Sequence, residues 1–172
     1  MQTYFSKNRY LYMGSAFCLT IGGLFGMLMV LAISQEALPM SADVLVSQDR
    51  GFEAAWHILF RNAAVALLMI SGLFLFAVPT LITLFLNGLW IGAVITSRLL
   101  DGVPFQQIVM KLLPHGIFEI PALVLAGAIG LKGLYFYFMP KKEWASHFRF
   151  IGYTAGLLIV GAVVEGYITA RL

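Results

Sequence analysis

Two stretches of this chain run without a charged residue for at least the thickness of a lipid bilayer. Tyr10 to Ile33 is 24 residues free of Asp, Glu, Lys and Arg, and Asn62 to Ser97 is 36. A helix rises about 1.5 Å per residue, so the first stretch covers ~36 Å, enough for a hydrocarbon core of about 30 Å. The second would reach ~54 Å as one helix, too long for a bilayer even with tilt. Pro79 sits near its middle. Proline removes a backbone donor and disfavours helix at the residue before it, here Val78. The run is therefore split into two short spans, 62–78 and 80–97. A turn at Asn87-Gly88 would leave too little chain for the second helix. Two more apolar stretches, 116–139 and 150–169, complete an all-α reading: a polytopic bundle of about five transmembrane helices in one domain covering 1–172.

Composition agrees. Hydrophobic residues make up 60% of the chain and charged residues 11%, with a mean hydropathy of +0.89. A soluble domain averages roughly 45–50% apolar and about 25% charged. A secreted disulfide scaffold, a disordered chain and a soluble enzyme are excluded. The first stretch is longer than the 7–15 apolar residues typical of a signal peptide, so it reads as an uncleaved span. The single Cys18 excludes an intramolecular disulfide and a cysteine-based zinc site. The net charge of +3 comes from scattered basic residues, so no nucleic-acid partner is expected.

Those basic residues orient the bundle. With the N-terminus in the cytoplasm, Lys7, Arg9, Lys132, Lys141, Lys142 and Arg149 lie inside against Glu143, a net of +5. Arg50, Arg61, Arg98, Lys111 and Arg171 lie outside, cancelled by Glu36, Asp43, Asp49, Glu53 and Asp101. Five spans put the C-terminus outside. Lys132, inside the fourth apolar stretch, is expected to snorkel along its alkyl stem to the headgroups. The segment 34–61 reads as an external loop followed by a short interfacial helix over 52–61, and 105–113 as a second amphipathic piece.

Small residues recur at helical spacing. Gly14, Cys18, Gly22 and Gly26 form one stripe on the first span, Ala122, Ala126 and Gly130 another on the fourth, and Gly152 and Gly156 a third on the fifth. Such stripes let backbones approach closely. They serve either packing within the chain, with Gly116 and Pro121 as further packing positions, or a homodimer seam at Gly22 and Gly26.

Polar residues inside the spans are the functional candidates, because a charge at the bilayer centre costs roughly 2.5–3.5 kcal/mol even on mild scales. Glu119 and Glu165 are the two acids so placed. His115 lies four residues before Glu119, hence on the same helix face. With Asn62 at the start of the second span, these groups fall at one level near the outer side, and Asn87 lies deeper. Convergence in one pocket is expected, since hydrocarbon offers such groups no partners. Three readings remain open: a structural network, an ion or proton site in which His115, Glu119 and Glu165 hold a divalent metal ion, and an intramembrane metal-dependent hydrolase. No H-E-x-x-H, G-x-S-x-G or Walker motif is present.

The segment Leu113-Pro114-His115-Gly116-Ile117-Phe118-Glu119-Ile120-Pro121-Ala122 resembles the P-H-G-x-x-E-[LI]-P-A signature of the stage II sporulation protein M family. Phe60-Arg61-Asn62, Leu86-Asn87-Gly88-Leu89-Trp90-Ile91-Gly92 and Val163-Val164-Glu165-Gly166-Tyr167-Ile168-Thr169 also resemble that family. The terminal block departs from it: Gly166 stands for the usual alanine, and no proline follows Thr169. The family pattern falls on Asn62, Asn87, His115, Gly116, Glu119, Pro121 and Glu165. The resemblance implies a multi-pass inner-membrane protein of bacteria or archaea. It also implies a non-enzymatic scaffold that assembles with envelope or peptidoglycan-remodelling proteins. A small transporter or ion-binding protein is the alternative. A homo-oligomer, most simply a dimer, is expected as well.

Overall fold

The computed structural model describes residues 8–34, 51–138 and 144–167, apart from the side chains of Ser34, Lys111, Pro114, His115, Trp144, Ala145 and Ser146. Of the expected external loop only Ser34, the last residue of the first helix, is described; 35–50, the Lys141-Lys142 pair and the C-terminal Thr169 fall outside these residues. Five α-helices and two short 3-10 turns form, with no strand among the described residues. The helices are α1 (Arg9–Ser34), α2 (Phe52–Ser71), α3 (Val78–Leu100), α4 (Phe105–Leu131) and α5 (Trp144–Tyr167). Each contains a segment long and apolar enough to cross a membrane. The 3-10 turns, Lys132–Leu134 and Phe136–Phe138, follow α4.

Three boundaries differ from those read in the sequence. First, 52–61 is not a separate interfacial helix but the first half of α2, since nothing between Phe52 and Ser71 is Gly or Pro. Gly51, at φ 74°, supplies the left-handed conformation from which α2 starts. Second, the break between α2 and α3 comes at 72–77. Pro79 lies in the first turn of α3, where its missing N–H has no intrahelical acceptor to lose and its fixed φ suits the helix. Third, the 105–113 stretch is continuous with the fourth span, and Pro114 and Pro121 both lie inside α4. Neighbouring helices make proline tolerable inside a membrane helix.

Helix α4 is central and touches the other four, whereas α5 packs on α4 and α2. The core is built from Ala66 and Met69 of α2, Leu84 of α3, Ala122, Leu123 and Ala126 of α4 and Leu158 of α5. The Ala122-Ala126-Gly130 stripe therefore faces the bundle as expected. Gly116 and Pro121 do not join it. They lie well round the helix from that stripe, and Pro121 is exposed. A Cβ on Gly116 would meet only its own helix, at Ile120 Cδ1.

The α1 stripe packs within the chain. A Cβ on Gly22 would collide with the Phe85 carbonyl, and one on Gly26 with the Leu89 carbonyl. From the other side, Gly88 abuts the Leu19 carbonyl and Gly92 abuts Gly23. Two glycine pairs thus interlock, and α1 and α3 run in parallel with their backbones in contact. The seam considered for a homodimer is occupied by α3 of the same chain.

Lys132 does not snorkel: it is 1% exposed. A Cβ on Gly133 would strike the Gly72 carbonyl, and one on Gly130 the Met69 carbonyl, so the end of α4 presses onto the α2–α3 turn and encloses Lys132.

Candidate functional site

Glu119 is the buried acid among the described residues, 7% exposed on α4. Its carboxylate oxygen Oε1 accepts a hydrogen bond from Nδ2 of Asn62, half-buried on α2. Sequence places these two residues 57 positions apart. Structure brings them together because α2 and α4 run parallel, with Ala66 and Met69 of α2 in one core cluster with Ala122 and Ala126 of α4.

Helix α5 closes the third side. A Cβ on Gly161 would lie 3.2 Å from Phe118 Cβ and 3.5 Å from Glu119 Cγ, so α5 crosses α4 beside the carboxyl-bearing turn. Glu165 is one turn further along α5 and half-buried. Gly166 then meets the start of α2: a Cβ there would lie 2.7 Å from Ala55 Cβ, and its carbonyl accepts from the Gly51 N–H at 3.1 Å. Asn62, Glu119 and Gly161 thus share one level of the bundle, and Glu165 sits about 6 Å further toward the end where α2 begins. His115 is one turn of α4 from Glu119 toward that same end; its side chain lies outside the described residues. Asn87 stands apart: its Nδ2 donates to the Thr83 carbonyl of its own helix at 2.7 Å.

Chemically, the Asn62–Glu119 contact ties α2 to α4 and supplies a donor to a carboxyl that hydrocarbon would leave without one. Glu119 and Glu165 carry the oxygen donors a cation would need. Among the described residues no three His, Cys, Asp or Glu side chains gather closely enough to hold a metal ion.

The sequence reading missed His147, which is 3% exposed, and misplaced Lys132, which is buried rather than snorkelling. His147 was recognisable: with Phe150, Thr154 and Leu158 it forms one buried face of α5 at spacings of three and four. Lys132 was visible as a charge within an apolar stretch, and its long alkyl stem suggested snorkelling; its burial depends on the turn that packs against it.

A serially connected bundle of five apolar helices with a polar contact between two of them defines a multi-pass membrane protein. Residues 15–170 match the family described as Stage II sporulation protein M, and the chain belongs to that family. It is also similar to an uncharacterized protein of Methanocaldococcus jannaschii, MJ0793. Identity is 33% over 125 residues, which covers 67% of this chain and 70% of that relative. No solved structure matches the chain.

Proposed function

We propose that this protein is a non-enzymatic membrane scaffold in which the polar residues at one end of the bundle hold α2, α4 and α5 in register. One observation carries the reading: the Asn62 amide donates to the Glu119 carboxylate across the α2–α4 interface. A carboxyl used this way is a fastening between helices. Its neighbours fit that role, since Gly161 and Gly166 bring α5 against α4 and α2 at the same end. The scaffold lies in the cell membrane with its N-terminus cytoplasmic and its C-terminus outside, a reading supported by the +5 partition of basic residues. Its partners are envelope proteins, of the peptidoglycan-remodelling kind that the family resemblance implies. Self-association uses a face other than Gly22 and Gly26.

The second reading is an ion site formed by His115, Glu119 and Glu165. It is favoured by register alone, since the three positions fall on two touching helices within about one turn of each other. Elemental analysis and thermal unfolding of the purified protein separate the two. The scaffold reading expects no stoichiometric divalent ion and a Glu119→Gln variant as stable as the parent. The ion-site reading expects a bound ion that raises the unfolding temperature and is lost in both Glu119→Gln and His115→Ala.

A further inference from the structure

We propose that the turn between α2 and α3, residues 72–77, is held within the acyl-chain region of one leaflet, where lipid tails cover its exposed side chains. A connection between spans ordinarily emerges into water, which satisfies its backbone groups. The α3–α4 connection has that character, with Asp101 and Gly102 exposed. The 72–77 turn has the opposite chemistry. No polar side chain occurs from Gly72 to Pro79, and Phe74, Leu75, Phe76 and Val78 are all exposed.

Six of the seven backbone N–H groups from Gly72 to Val78, all but that of Phe76, are paired within the protein. The N–H groups of Gly72, Leu73 and Phe74 donate to the carbonyls of Met69, Ile70 and Ser71. Leu75 and Ala77 both donate to the Gly72 carbonyl, and Val78 donates to that of Leu75. The Tyr137 hydroxyl reaches in from the last 3-10 turn and donates to the Phe74 carbonyl at 2.8 Å. Hydrocarbon supplies no hydrogen-bond partner, so a connection at that depth requires this internal pairing, whereas a turn in water does not. Two successive non-glycine residues, Phe76 and Ala77, adopt positive φ (50° and 62°) to make it.

The spans set the depth. Arg61 is exposed on α2, and only ten uncharged residues, Asn62–Ser71, follow before the turn. They cover about 15 Å, half of the hydrocarbon core. A turn withdrawn beneath the far rim keeps Arg61 on its own side of the bilayer centre, from which its long side chain extends toward the headgroups. On α3 the 20 uncharged residues Val78–Ser97 reach about 30 Å before Arg98, which keeps the turn close to the far rim of the core. Phe136 meets Phe74 edge-on with centroids 5.2 Å apart, and Tyr137 lies 5.3 Å from the Phe76 ring. Aromatic residues of this kind gather at the membrane–water boundary, so the turn lies just beneath it.

Spin-label accessibility tests this on the full chain. In a Cys18→Ala background, Leu75→Cys, Phe76→Cys and Asp101→Cys are each nitroxide-labelled and reconstituted in phosphatidylcholine–phosphatidylglycerol vesicles. Labels at 75 and 76 are expected to collide several-fold more with dissolved oxygen, which enters lipid, than with a water-soluble nickel chelate, and the label at 101 the reverse. Chelate collisions at 75 and 76 matching those at 101 would overturn the proposal by putting the turn in water. Low accessibility to both reagents would overturn it by showing a protein cover. Both probe positions are exposed, so either one gives the answer if the other variant fails to fold.

Discussion

The side-chain amide of Asn62 donates to the carboxylate of Glu119 across the interface between α2 and α4, and α5 crosses at the same level through Gly161. This relationship explains why a chain with so little charge keeps an acid inside its most buried helix. It also makes clear demands on substitutions.

Removing the acceptor should weaken the bundle, whereas keeping it should not. Glu119→Gln retains an oxygen for the Asn62 amide and should unfold within about 0.5 kcal/mol of the parent, the ordinary scatter of neutral substitutions. Glu119→Leu strands the Asn62 donor and should lose about 1–2 kcal/mol, because polar contacts in membrane bundles average ~0.6 kcal/mol and reach about 1.7. Reversible unfolding in mixed micelles measures both.

The glycine seam between α1 and α3 leaves no room for side chains. Gly22→Leu or Gly88→Leu should destabilise the single chain by at least the ~1–3 kcal/mol typical of overpacking, since the obstacle is backbone. The oligomeric state measured by light scattering in detergent should not change. Gly156→Leu is the contrast. No atom lies within 4 Å of a Cβ there, so the fold should tolerate it, and any loss of an oligomer in that variant would locate self-association on α5.

Lys132 is enclosed where α4 ends against the 72–77 turn. An amine-reactive reagent applied to the folded protein in detergent should leave it unmodified by peptide mass mapping, and modification should appear on unfolding. A snorkelling lysine would react in the folded state.

How much of this was legible in the sequence follows from what each signal depends on. The number of spans depends on uncharged length, which is a local property, so all five helices were found. Their ends depend on neighbours. Pro79 looked like the turn because proline stops helices, yet it opens α3, and the turn settled seven residues earlier at Gly72, where Gly133 and Gly130 let α4 press close. The Gly22–Gly26 stripe was visible, but its partner was not, because only the fold brings Gly88 and Gly92 against it. At the candidate site, polarity within apolar spans marked Asn62 and Glu119, and their contact exists because α2 and α4 run parallel. Asn87 carried the same mark and bonds within its own helix.

The orientation is tested by cysteine accessibility in intact cells, in a Cys18→Ala background. An impermeant maleimide should label Arg171→Cys directly and Lys142→Cys only after permeabilisation, since the basic residues favour the cytoplasm on the side of Lys142.

The most direct test of the central claim is a double-mutant cycle between Asn62→Leu and Glu119→Leu, read as unfolding free energy in mixed micelles. If the two side chains fasten α2 to α4, each single variant costs the other residue its partner across that interface, and the double variant leaves neither polar group behind. The account therefore predicts a double variant less destabilised than the sum of the singles, with a coupling of about 1 kcal/mol. Strictly additive losses would contradict it, because the carboxyl would then owe its place inside the bundle to something other than Asn62.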